Sequence, residues 1–432
     1  MARLIIGHVT PISAMIWVRG ERKYPVAYLG VEPGGTTASK VLEERHGYTH
    51  AFTVTGLKPD TEYRCFVEFG ARSGTAPTHR VDFGHCRGTF RTSPAEGTNT
   101  PFKMLLGSCN LHSLGVVASP DPAYEELLSK ASAHDARFMI HCGDQIYYDI
   151  PNPANAPDVD EYRGKYLDAW GDSRPTRKLL TQLPHYMIMD DHEITDDFAN
   201  DMKPKMGSPP RSYRQISMKV YREFVHIRQP NVYGRQALYY SFAHGSTQFF
   251  VMDCRTERYG FSPGHFRMIS DEQMRAFTRW LTKHKDALKF VVSSVPFVGE
   301  ISNDNDKWCA PAFESQRNEI IDHVVSTSSS SPTFLTGDMH NSYHATMTVD
   351  STTVIHELMS SPINQLQKTG IGRYARNVQK TTGGGHAYTS KILKFYNDHS
   401  NAMIVGVDQG TISYEIFRTK KTKKVRSGEF TP

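Results

Sequence analysis

The chain has 432 residues, 50 Lys+Arg against 45 Asp+Glu and a formal net charge of +5, with 38% hydrophobic and 22% charged residues. That length exceeds what one hydrophobic core usually serves, so it predicts two domains. The longest apolar runs, such as Phe249 to Met252 and Phe290 to Val298, fall far short of the ~18–20 residues of a membrane helix, and so weak a positive charge disfavours nucleic acid as an obligatory partner.

Six cysteines with no CxxC pair are too few for a disulfide scaffold at this size. The opening Met1-Ala2-Arg3-Leu4-Ile5-Ile6-Gly7-His8 carries neither an adequate apolar leader nor a twin-Arg pair. As written, the chain is expected in the cytoplasm; one trimmed of a twin-Arg export signal would read identically.

Residues 1–95 read as short strands. Ser13 to Arg19 alternates apolar and polar residues, and Thr61 to Phe69 does so again. Between them, Lys58-Pro59-Asp60-Thr61-Glu62-Tyr63 resembles the corner before the sixth strand of a fibronectin III/Ig-like sandwich, where a Tyr bonds back to the backbone. No site chemistry shows here, which favours a packing appendage over a recognition module. Ser93 to Thr98 is linker-like.

From 100 to 432 strands alternate with helices, which predicts an α/β fold. Apolar runs stand at Phe102–Gly107, Arg137–His141, Tyr186–Met189, Gln248–Met252, Lys289–Val292 and Thr333–Thr336. Helical periodicity runs from about Asp121, from Ser212 to Ile227 and from Asp271 to Lys283. Pro151 to Pro157, Gly207 to Pro210 and Gly383 to Gly385 read as surface loops, and the basic run from Arg418 to Arg426 as a solvated tail.

Four of the apolar runs lead at once into metal-type donors: Ser108-Cys109, Gly143-Asp144 with Tyr147, Asp190-Asp191-His192-Glu193, and Gly337-Asp338-Met339-His340. Singly each has an ordinary reading, as a buried thiol, a turn or a helix cap. Together they sit at successive strand ends, which in an open α/β sheet converge on one crevice. Carboxylates crowded there cost several kcal/mol each unless compensated, so the set points to multivalent cations.

Gly-Asp-x-x-Tyr after a strand, a later Asp-Asp-His-Glu, Gly-Asp-x-His near the end, Ser108-Cys109 and Val251-Met252-Asp253-Cys254-Arg255 resemble the alkaline phosphatase D (PhoD-like) metallophosphatases. These belong to the calcineurin-like phosphoesterase superfamily. The resemblance implies a four-layer α/β sandwich core behind the N-terminal sandwich, holding Fe(III) with Ca2+ beside it. It implies Cys109, Asp144, Tyr147 and His340 as iron ligands, Asp144 as a bridge, and Asp338, Asp191 and Asp190 on the calcium side. Asp196-Asp197 stand where related sequences can have an Asn pair. Phenolate and thiolate suit Fe(III), since a Tyr with a pKa near ~10 and a Cys near ~8.5 ionise readily only beside a strong Lewis acid.

The expected reaction is hydrolysis of small phosphate esters, monoesters and also diesters. The alternative is a hydrolase specific for nucleotide, nucleic acid or phospholipid diesters. His192 is expected as proton donor to the leaving group or as a phosphate contact. Arg255 is expected to clamp the phosphate or to pair with Asp253 or Glu257 at its strand end.

Overall fold

The computed structural model describes residues 2–71, 80–83, 86–112, 123–150, 158–171, 173–203, 210–234, 236–302, 304–327, 329–365, 370–375, 378–420 and 424–432. The expected loop at 151–157, most of the loop at 207–210, the helix start at 121–122, and Lys421 and Lys423 of the basic run lie outside them.

The first stretch contains β1 (Leu4–Val9), β2 (Ser13–Arg19), β3 (Val26–Glu32), β4 (Thr36–Val41), β5 (Thr49–Thr55), β6 (Glu62–Gly70), β7 (Arg80–Val81) and β8 (Arg87–Arg91). β1-β2-β5 form one antiparallel sheet, and β4-β3-β6-β7 with β8 form another. Their alternating apolar residues, among them Ile6, Ile16, Leu29, Phe52, Val67 and Phe90, make a shared core. The Tyr63 hydroxyl accepts the Lys58 N–H at 2.9 Å, the back-bond expected of the corner. Trp17 leaves this core for the main one, donating to the Glu223 carbonyl at 2.9 Å and meeting Trp170 edge-on.

The rest begins with β9 (Phe102–Gly107), α1 (Ala123–Ala133), β10 (Ala136–His141), α2 (Val159–Gly171), α3 (Arg174–Gln182), β11 (His185–Met187) and α4 (Pro210–Phe224). It continues through β12 (Tyr240–His244), β13 (Thr247–Val251), α5 (Asp271–Lys283), β14 (Lys289–Val292), α6 (Glu314–Thr327) and β15 (Thr333–Thr336). The last strands are β16 (Ser342–Val349), β17 (Thr353–Ser360), β18 (Val378–Thr381), β19 (Ala387–Tyr396), β20 (Asn401–Asp408), β21 (Thr411–Arg418) and β22 (Lys424–Phe430). Two mixed sheets result, ordered β11-β10-β9-β20-β21-β22 and β12-β13-β14-β15-β17-β16-β19-β18.

The two sheets face each other across a core that joins Met104, Leu106 and Ile140 of the smaller to Val251, Phe290 and Leu335 of the larger. The outer face of the larger carries α5 and α6, through Phe277, Trp280, Ile320 and Val324. That of the smaller carries α1 and α3, through Leu127 and Leu179. β14 and β15 are buried along their whole length, which explains why Phe290, Val291 and Val292 of the one and Phe334 and Leu335 of the other are consecutive apolar residues. α5 starts where Ser270 Oγ accepts the Gln273 N–H at 3.2 Å, and it buries Met274, Phe277, Trp280 and Leu281 on one stripe.

The basic run is not a tail: Arg418 ends β21, and Lys424 and Arg426 lie in edge strand β22, paired along β21. Among the described residues no helix is long and apolar enough to cross a membrane.

Candidate metal centre

β9, β10 and β11 are parallel neighbours in one sheet, and β13, β14 and β15 in the other. The loops leaving their C-terminal ends touch. Two motif glycines permit this: a Cβ on Gly143, whose φ is +96°, would stand 2.4 Å from the Asp190 Cβ, and one on Gly337 would stand 2.5 Å from Ser108 Oγ. Cys109, Asp144, Asp338 and His340 all have left-handed backbone, with φ of 55°, 55°, 77° and 51°. Such positions cost a non-glycine residue about 1–3 kcal/mol each and persist where surrounding bonds over-determine them. Here the bonds run from Cys109 N to Gly143 O (3.3 Å), Asn110 N to Asp144 O (2.9 Å) and His340 N to Ser361 Oγ (3.1 Å).

The structure brings the mixed-donor set together around one phenol. Tyr147 Oη donates to Asp144 Oδ2 at 3.3 Å and lies 3.5 Å from His340 Nε2, and a charge on Cys109 acts on it directly. All four side chains are buried. Burial pushes the Cys109 thiol well up, and the charges of Asp144 and Asp338 push it further. Burial likewise raises Tyr147, helped by Cys109, Asp144 and Asp191. Both groups therefore stay neutral unless a strong cation sits among them.

A second set is all carboxylate. Oxygens of Asp190, Asp191 and Asp338 lie within 4.8 Å of one another, and Asp191 also groups with Asp144 and His192 and, toward the surface, with Asp196 and Asp197. Asp144 Oδ1, Asp190 Oδ2 and Asp191 Oδ1 are buried and accept no hydrogen bond. An oxygen so placed costs a few kcal/mol. The residues thus fit what the resemblance implies: a soft-and-hard donor set beside an oxygen-only one, with acceptor capacity left over for cations.

His192 lies over the Tyr147 ring, centroids 4.2 Å apart. Its Nδ1 is 2.8 and 3.0 Å from the Asp149 carboxylate, and its ring lines the crevice beside the donors. Burial alone would lower its pKa, but Asp191, Asp144 and Asp149 raise it to about 11. Burial opposes the ionisation of Asp191 too, yet Arg255 and His192 hold it down to about 2.

Arg255 departs from the expectation. Its guanidinium is fully buried, with Nε on Asp190 and both Nη atoms on Asp306 at 2.8 Å, and it does not line the crevice. The fork is spent on carboxylates and none of it is turned to a phosphate. Nor are the expected partners the real ones: Asp253 Oδ1 accepts the Arg255 backbone N–H at 3.1 Å, and Glu257 accepts from Ser270 N and Gln273 Nε2.

Sequence reasoning missed Asp306, Lys307 and Arg258. Asp306 gathers Arg255, Arg258 and Lys307, and Lys307 also pairs with Asp338. Arg258 lies several residues past the end of β13, and Asp306 and Lys307 lie far along the connection after β14, so their spacing gave no signal. Glu193, read only as part of its motif, ties two strand ends together by accepting backbone N–H groups from Asp144 (3.0 Å), Gln145, Ile146 (3.2 Å) and Asp190 (2.7 Å). The crevice over the donors holds about 800 Å³. A larger one of about 950 Å³, between the N-terminal strands and α4, contains none of them.

Residues 108–416 match the family model of the PhoD-like phosphatases, from the residue before Cys109 into β21. The chain belongs to the PhoD-like phosphatase family. It is 24% identical over 403 residues to alkaline phosphatase D of Bacillus subtilis (strain 168), an alignment covering 79% of this chain and 64% of that relative's length. A solved structure of PhoD superposes with a TM-score of 0.74 at 16% identity, covering 99% of this chain and 92% of the other. Purple acid phosphatase PPD1 from yellow lupin (Lupinus luteus) seeds gives 0.68 at 10% identity, covering 99% and 74%. Both structures share the fold, and the matched stretch 108–416 contains the residues that meet at the centre described above.

Proposed function

We propose that this PhoD-like chain hydrolyses phosphate esters, monoesters and diesters, at a centre of Fe(III) and Ca2+. Cys109, Asp144, Tyr147 and His340 would hold the iron, and Asp144, Asp190, Asp191 and Asp338 the calcium. The observation that carries this reading is the Tyr147 phenol, fully buried and shared by Cys109, Asp144 and His340. A hydrophobic core has no use for such a meeting of four ionisable groups, whereas a trivalent cation has. We further read residues 1–95 as a sandwich domain of fibronectin III/Ig type packed on a catalytic domain of residues 100–432.

When bound, the metals supply Lewis-acid stabilisation of the phosphoryl oxygens and lower the pKa of water. The chain's own residues supply the rest. Asp149 fixes His192 by accepting Nδ1–H, which leaves Nε2 toward the crevice. As a water oxygen bonds to phosphorus in line and the ester P–O bond breaks, His192 Nε2–H delivers the proton that the departing alkoxide needs. Arg255 positions Asp190 and touches no substrate.

The test is elemental analysis of the purified chain together with turnover of p-nitrophenyl phosphate and bis-p-nitrophenyl phosphate. The expected result is one iron, bound calcium and release of p-nitrophenol from both. Full activity in protein shown to lack iron sinks the iron assignment; no turnover of either ester by metal-loaded protein sinks the phosphoesterase.

A further inference from the structure

The crevice over the donors is not polar throughout. Part of its wall is Gly260, Phe261, Phe266, Pro311 and Ala312. Phe261 and Phe266 are 56% and 42% exposed, and of the seven large hydrophobic side chains left exposed among the described residues they are the two aromatic ones.

Their exposure is held in place by the backbone. Tyr259 and Arg267 exchange two backbone hydrogen bonds of 2.9 Å at the base of the turn that carries both rings. Inside the turn the Asp201 carboxylate accepts the N–H groups of Gly260, Phe261 and Ser262 at 2.9, 2.9 and 2.7 Å. Ser262 O accepts the His265 N–H at 3.1 Å. A loop tied down by six hydrogen bonds around two solvent-facing rings is preorganised to receive an apolar group.

We propose that Phe261 and Phe266 form the leaving-group subsite of the centre and select esters of alcohols that carry an aromatic ring, phenols and nucleosides, whose planar ring lies against them. This rests on the phosphoesterase reading above and narrows its substrate class. The crevice combines two chemistries: Asp191, His192, Asp338 and His340 line it, where phosphorus would react, and the two rings line it as well, open to a departing alcohol. A planar ring suits this wall better than a long alkyl chain does. The apolar part of the lining is small, and Asp196, Asp197, Asp304, Asn305 and Arg373 line the same crevice, so a chain of many methylenes would meet charge. Aromatic faces also stack on any flat ring, which makes the subsite tolerant of aryl and nucleobase alike.

The experiment uses the full chain with its metals and three substrates: phenyl phosphate, glycerol 2-phosphate and hexyl phosphate. The readout is the ratio of kcat/KM for phenyl phosphate to that for glycerol 2-phosphate, in which differences in enzyme concentration and metal loading cancel. Phe261→Ala and Phe266→Ala are each expected to lower it about five- to tenfold, and Phe261→Tyr to keep it. An unchanged ratio in both alanine variants overturns the subsite. Hexyl phosphate losing as much as phenyl phosphate overturns the selection for alcohols that carry an aromatic ring. Parent protein that hydrolyses none of the three overturns the monoester reading, and the subsite with it, before any variant is compared.

Discussion

Replacing Arg255 by Met separates a structural arginine from a substrate-binding one. In the parent the buried guanidinium serves Asp190 through Nε and Asp306 through both Nη atoms. Arg258 and Lys307 still contact Asp306 after the change, so the loss falls chiefly on Asp190, whose ion pair among the described residues is with Arg255, and more weakly on Asp191, 3.7 Å from the guanidinium. Breaking a buried pair from one side costs about 3–5 kcal/mol, because a charge is left without compensation. At about 2.1 cal/mol/K per residue the unfolding entropy of this chain is ~0.9 kcal/mol/K if it melts as one unit, so Tm should fall by about 3–6 °C. The assay is thermal unfolding beside steady-state kinetics on p-nitrophenyl phosphate, with Asp306→Asn made alone and in combination. The two substitutions should be non-additive in Tm, since the bidentate contact is lost only once. A variant that melts with the parent while its KM rises tenfold or more would refute the reasoning, because that pattern belongs to a phosphate clamp.

Tyr147→Phe is expected to abolish iron binding, activity and the visible phenolate-to-iron absorption together, read by elemental analysis and a spectrum; a variant that keeps iron and activity removes Tyr147 from the ligand set. Gly143→Ala drives a methyl to 2.4 Å from the Asp190 Cβ at a φ of +96°, so it should lower stability by roughly 2 kcal/mol or more and reduce metal content, whereas an unchanged melt denies the close approach. Acidification should destabilise the fold through its buried histidines, since burial holds His185 down to about 3 and His141 to about 4. Their folded values lie below the ordinary 6.5, so the unfolded chain binds more protons: the stabilisation is complete above pH 6.5 and is lost as pH falls toward 4. Each should cost about 2 kcal/mol at pH 5; urea melts of equal midpoint at pH 7.5 and pH 5 would contradict this.

The donors were legible because buried parallel strands write themselves as short apolar runs, and whatever follows such a run is at a sheet edge. Lys289–Val292 and Thr333–Thr336 stand out as strands for this reason, and Asp338 and His340 were found from the second of them. Lys307 and Asp306 follow no run; their place beside Asp338 depends on how a long connection after β14 folds back, which is a tertiary fact. Arg255 shows a subtler failure. Its position past a strand end was visible, but position does not say which way a long side chain turns, and the excess of buried carboxylate turned it inward. The antiparallel strands after β15 left little trace either, because edge strands such as β18 and β22 carry mostly polar, half-exposed residues.

The same residues make metal loading and folding one equilibrium. Four donors stand on left-handed backbone, and three buried carboxylate oxygens have no hydrogen bond. Each of these costs free energy in the metal-free chain, on the order of 1–3 kcal/mol, and the oxygens recover it only when a cation binds. A ligand that binds the folded chain alone stabilises it by RT ln(1 + [L]/Kd), about 2.7 kcal/mol at a hundredfold excess over Kd. EGTA at pH 8 should therefore lower Tm by several degrees, and added Ca2+ should restore it in proportion to the logarithm of its concentration. Lys307 sets the limit on that shift, since it already contacts Asp338 and neutralises part of the cluster. Protein shown by elemental analysis to have lost its calcium, yet melting where the loaded protein does, would mean that Asp190, Asp191 and Asp338 hold no ion.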